Sequence, residues 1–280
     1  MRSAVQLPAS VLLLAVAVGL PVVTFAAAYS VSDRVTEGEI WRRKGYFLSA
    51  AIDTPPASNF GSLGLTVALM AFVGVTVVRH HIVAERLRAQ GTAPALRSLH
   101  GVSLAAALVS GLGGHGVAAF PHHADRRWHN SFAAIFVLCA LTHFALESKL
   151  ERRAALSSQF ARGFRLCLCV IASVNCATFI SHVILEEMWR IDIGIGKLPA
   201  ALAEITTCIC FVLYLASYWR SLNETRITLS VTYSPTVAHG GEPQIARGPS
   251  SAPYGPDAHD FVLDLQETSW PKREASSSDD

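Results

Sequence analysis

The 280-residue chain is 51% hydrophobic and only 16% charged, where a soluble domain carries roughly 25% charge. Its net charge of +2 excludes the strongly basic surface of a nucleic-acid binder, and no nucleic-acid partner is expected. The charges crowd between long apolar blocks, which is the pattern of membrane spans and loops.

A span needs about 20 mainly apolar residues to cross roughly 30 Å of hydrocarbon. Six stretches meet that demand in chain order: 8–29, 60–78, 99–120, 128–146, 164–185 and 198–219. The predicted fold class is therefore all-α: an integral membrane bundle of six transmembrane helices within residues 1–222, followed by a disordered cytoplasmic tail over 223–280. The first stretch, with Arg2 before it and Phe25-Ala26-Ala27-Ala28 near its end, also has features of a cleaved signal peptide. Its apolar run exceeds the roughly 7–15 residues of a signal core, which favours a retained helix.

Lys and Arg set the orientation. With the N-terminus inside, the inner segments carry the heavier share, among them Arg79, Arg86, Arg88, Lys149, Arg152 and Arg153. Both termini are then cytoplasmic, and the loops 30–59, 121–127 and 186–197 face the lumen or exterior. Beyond Trp219 the chain turns rich in Pro, Ser and Gly and ends in Asp279-Asp280, a composition that does not bury a core. The stretch 259–266 reads as linker, with a short docking motif for a cytoplasmic partner as the alternative. Asn223-Glu224-Thr225 is a glycosylation sequon that stays silent on the cytoplasmic side.

All six cysteines lie inside apolar blocks, so a disulfide scaffold is rejected. The Cys-x-Cys pairs 167–169 and 208–210 match no zinc spacing and read as small core residues. Neither a metal nor a cofactor is expected.

Ionisable groups within spans cost from about 2.5 kcal/mol upward, so each is a functional candidate. His115 lies in Gly113-Gly114-His115-Gly116, His143 deep in the fourth span, and Asn175 and His182 on one face of the fifth. Glu204 lies near the outer end of the sixth, and a dense polar run spans His122 to Asn130. With the N-terminus inside, Asp53, His115, His122, His123, Asp125, His129, His182, Glu186, Glu187 and Glu204 gather near the outer surface, while His143 reaches inward. Such a cluster suits a metal, acid–base chemistry on a lipid ester, or a polar head group. Interhelical hydrogen bonding is the ordinary use of these residues taken singly. No His-Glu-x-x-His and no Gly-x-Ser-x-Gly occurs, so no catalytic residue is identified and enzymatic activity stays open. The strip Gly111, Gly113, Gly114 and Gly116 points to close helix packing, with a lateral lipid groove as the sharper alternative.

Three segments carry a family resemblance. Leu48 to Phe60, with Ser49-Ala50-Ala51-Ile52 and Asp53-Thr54-Pro55-Pro56-Ala57-Ser58, resembles the outer-loop signature of the Frag/DRAM/Sfk family, which includes the N-terminal domain of CWH-type proteins. Asp125 to Ser131 with His143, and Ala203-Glu204, are similar to its later motifs. The first half of the loop signature resembles the GPI-remodelling branch, post-GPI-attachment factor 2. The second half resembles the DRAM branch, which has Glu where this chain has Ala57.

The resemblance covers about residues 8–220. It implies a six-helix membrane protein of the Golgi or ER, or of lysosomal or plasma membranes, and the matching positions are Asp53, Asp125, His129, Asn130, His143 and Glu204. The expected function is GPI-anchor lipid remodelling through a luminal head-group site. Its candidate residues are Asp53, His115, Asp125, His129, Asn130, His143, His182 and Glu204, and its partner a membrane lipid or GPI-anchored substrate. The alternatives are a non-enzymatic regulator of autophagy or membrane-lipid organisation, and a small transporter using His115, His143, His182 and Glu204.

Overall fold

The computed structural model describes residues 9–35, 47–154, 157–185, 197–223, 225–229 and 263–267. Six long helices dominate: α1 (Ala9–Val35), α3 (Ala57–Ala89), α4 (Pro94–Ala119), α5 (Arg126–Ala154), α6 (Gln159–Val183) and α7 (Leu198–Ala216). Each is long and apolar enough to cross a membrane. Two short helices, α2 (Leu48–Ala51) and α8 (Trp219–Asn223), precede α3 and follow α7. This is the six-helix architecture expected from the apolar blocks. The outer surface is studded with Leu63, Met70, Leu112, Leu138, Val174 and Leu202, all exposed. Such a surface belongs in hydrocarbon rather than water.

Consecutive long helices pack side by side, and α7 returns to α1, which closes a ring. The seams α5/α6 and α1/α7 are sparser than the others. Local sequence sets the turns. Pro94 opens α4, Ser158 Oγ caps α6 by accepting from Ala161 N, and Gly91 takes a φ of 61° in the short link from α3 to α4.

The two ends of the ring differ. The proximal end holds the start of α1 and the end of α7, tied by Ser10 Oγ donating to Leu222 O at 2.9 Å. The distal end holds α2, the link 52–56 and the link 120–125. The 33 residues of α3 run about 50 Å, well over the roughly 30 Å of hydrocarbon. Relative to the spans read from sequence, α3 and α5 continue at their C-terminal ends, and α4 and α6 start earlier. All four extensions fall at the proximal end. The charges that mark a boundary in sequence are instead paired between helices there.

Close approach explains the glycine strip. A Cβ on Gly113 would lie 2.6 Å from Phe136 N in α5, and one on Gly114 2.6 Å from Leu69 in α3. The strip is close-packed on both flanks, against Val73 and Leu69 of α3 and Phe132 and Phe136 of α5, and Gly114 also borders an internal cavity. In the tail, β1 (Thr225–Leu229) pairs antiparallel with β2 (Leu263–Glu267), from Thr225↔Glu267 to Leu229↔Leu263. The sequence stretch 223–280 was expected to lack structure; these strands are its described part beyond Asn223, and the remainder lies outside the described residues.

Candidate functional site

A cavity of about 1020 Å³ lies inside the ring, lined from Asp53 and Lys197 at the distal end down to Phe144 and Leu215. Apolar side chains form its depth: Phe25, Phe72, Phe136, Phe144, Phe211 and Leu215. Its distal mouth is polar, with Asp53, His123, His129, Asn130, His182 and Glu204 in the wall. His122, Arg126 and Lys197 add basic character there. The volume sits at the upper end of small-molecule sites, which run about 300–1,000 Å³.

Backbone donors and acceptors hold the mouth in place. The Asp53 carboxylate is 4% exposed, and its Oδ1 accepts from the main-chain N–H of His123 at 2.7 Å. The same oxygen lies 3.1 Å from His123 Nδ1, so the link 52–56 and the link 120–125 are fastened together. His129 is buried and donates from Nδ1 to the Phe120 carbonyl at 2.7 Å. A carbonyl only accepts, so the proton sits on Nδ1. The ring of His122 stands edge-on to His129, centroids 5.4 Å apart. Across the mouth, Glu204 Oε2 in α7 accepts from Leu48 N at the start of α2, at 2.8 Å.

A second polar cluster lies at the proximal end and lines no part of this cavity. Glu151 in α5 is fully buried and pairs with Arg79 of α3 at 2.6 Å and with Arg165 of α6. Arg79 also donates to Ser221 Oγ at 2.7 Å, and Arg165 to Ser217 Oγ at 2.7 Å. Both guanidinium groups lie over the Tyr218 ring, at 4.9 and 4.6 Å from its centroid. Beside this network, Ser103 Oγ donates to Glu147 Oε1 at 3.0 Å, and His143 Nδ1 donates to the Ser103 carbonyl at 3.0 Å.

The geometry comes with a family match. Residues 6–224 match the model of the Frag1/DRAM/Sfk1/Cwh43P N-terminal domain. The chain belongs to this family. The matched region takes in all six long helices and stops at the start of the tail strands. No curated protein and no solved structure matches the chain.

Within this family member, the structure sorts the sequence candidates by position. Asp53, His129, Asn130, His182 and Glu204 share the cavity wall. Asp125 is not in that wall; its Oδ1 accepts from Trp128 N at 3.2 Å and caps the start of α5. His115 is half-buried on α4 and also outside the wall. His143 belongs to the proximal cluster. Asn175 donates to Ile171 O on its own helix. Glu186 and Glu187 lie outside the described residues. No group of three or more His, Cys, Asp or Glu able to hold a metal occurs among the described residues.

Sequence reasoning missed Glu147 and Glu151, because the fourth span was ended at 146. The signal was present: His143, Glu147 and Glu151 recur every four residues, one face of a helix. His123 belongs to the outer cluster read from sequence, but neither it nor Arg126 is among the head-group candidates drawn from that cluster.

Proposed function

We propose that this protein binds a membrane lipid in the distal cavity and acts in GPI-anchor lipid remodelling. The observation that carries the reading is the cavity's division into a polar mouth and an apolar depth. An amphiphile fits both halves at once: a phosphate- and glycan-bearing head group meets Arg126, Lys197 and the imidazoles, while its chains lie among the phenylalanines. The chains exchange bilayer hydrocarbon for an apolar wall with little hydrophobic gain, so affinity rests on charge-assisted hydrogen bonds to the head group. In this reading the distal end faces the lumen of the Golgi or ER, and both termini are cytoplasmic.

The transporter alternative loses ground on the same geometry. His115 is outside the cavity, and His143 is cut off from His182 and Glu204 by the apolar depth. A regulatory alternative, in which the tail recruits a cytoplasmic partner, draws support from the return of β2 onto β1 at the proximal end.

The test is the acyl composition of GPI anchors in cells lacking the protein, rescued with wild type, His129→Ala or a tail deletion after Asn223. Remodelling predicts altered anchors that wild type and the tail deletion restore and His129→Ala does not. Unchanged anchors would overturn it and leave the tail-based role in front.

A further inference from the structure

The lipid reading leaves one arrangement unused. Asp53 is almost fully buried, and its carboxylate meets His123 at two points. Oδ1 takes the main-chain N–H of His123 and lies within hydrogen-bond reach of Nδ1 on the same residue. An ionised carboxylate only accepts, so Nδ1 carries the ring proton and Nε2 keeps its lone pair. The imidazole is 45% exposed and borders the cavity mouth. A buried carboxylate that fixes one imidazole tautomer, on a ring that borders a cavity, is the base-plus-orienter arrangement of acyl-transfer sites.

Depth adds a second, independent constraint. The polar lining takes in Asp53, His123, His129, Asn130 and Glu204, and the phenylalanines form the rest of the wall, so the cavity changes from polar to apolar along its length. In a bound lipid, the bonds joining head group to chains lie at that change of polarity. Cations join the polar lining, because Arg126 and Lys197 border the mouth. They are suited to charge developing on a carbonyl oxygen.

We propose that Asp53 and His123 form an acid–base pair that hydrolyses a carboxylic ester of the bound lipid; this rests on the lipid reading above. Water is the co-reactant. His123 Nε2 takes a proton from the water as its oxygen bonds to the ester carbon, and the carbonyl π electrons move onto the carbonyl oxygen. When the tetrahedral intermediate collapses, the bond to the alkoxy oxygen breaks. That oxygen leaves with the proton from Nε2, giving a fatty acid and a lyso-lipid. His123 is the catalytic residue, and Asp53 the residue that positions it.

The experiment uses the full chain in phosphatidylcholine vesicles containing phosphatidylinositol with a radiolabelled ester-linked chain. A parallel sample carries phosphatidylinositol with a photoactivatable chain. Wild type is expected to label in α7 around Phe211 and to release fatty acid. His123→Gln keeps the main-chain bond to Asp53, so it should fold and label normally while release falls at least about 10²-fold. Asp53→Asn should lower kcat with KM and labelling kept, and should change the pH dependence of release; a loop brace alone would not do this. His115→Ala, outside the cavity, should release at the wild-type rate. Labelling without release, or release that survives His123→Gln, would overturn the acid–base pair and leave the lipid site standing. Absence of labelling would overturn both.

Discussion

The two ends of the ring hold the same kinds of residue and use them in opposite ways. At the proximal end Arg79, Glu151 and Arg165 are at most 3% exposed and close on one another, with both guanidinium groups near the Tyr218 ring. At the distal end Asp53 is as deeply buried, but its partner His123 is 45% exposed and borders a large cavity. Charge sealed between helices is a fastening, and removing one partner strands the others. Charge that borders a cavity is held in readiness for something not part of the chain. Residue type and depth alone do not separate the two; what lies on the far side of the group does.

The sharpest way to break this comparison is Glu151→Ala. Two buried guanidinium groups lose their counter-charge, and the loss of one partner of a buried pair costs about 3–5 kcal/mol. Thermal unfolding in detergent should show the largest fall of any substitution here, and most of the protein should aggregate. Gly113→Leu comes next, because its side chain meets the α5 backbone. Overpacking of this kind costs about 1–3 kcal/mol, read as a lowered melting temperature.

Ser103→Ala removes the hydroxyl shared by Glu147 and His143, and a loss of about 1 kcal/mol is expected. Lipid photolabelling should be unchanged, since the site is proximal. Ala133→Phe, in the cavity wall, reverses the pattern: melting should move little, while labelling of α7 is blocked. A proximal substitution that abolished labelling without unfolding would erase the distinction between the ends.

Much of the fold was legible because apolar runs of span length report themselves directly. The helix ends were not. Arg79, Glu147 and Arg165 read as the charged margins of spans, although each is buried against another helix. Their partners are remote in sequence: Arg79 and Glu151 are 72 positions apart. A local pattern cannot distinguish a solvated charge from one paired across that distance.

The distal cluster was easier to see, since the run His122 to Asn130 is dense and resembles a family motif. Even so, the link from Asp53 to His123 crosses 70 positions, and nothing local set His123 apart from His122. His143 misled for a related reason: fourteen residues from His129, it shares that helix face but belongs to the other end of the bundle.

The sparse packing between α5 and α6 bears on how any occupant would arrive. The helices on either side of that seam both contribute to the cavity wall, α5 through Phe136 and α6 through Phe179. A chain sliding between them stays in hydrocarbon throughout, so it never incurs the cost of entering water. Capture would then depend on the amount of lipid in the surrounding leaflet rather than on any dissolved concentration. Diluting vesicles at a fixed lipid-to-protein ratio should leave occupancy unchanged, whereas diluting the lipid within the bilayer should lower it.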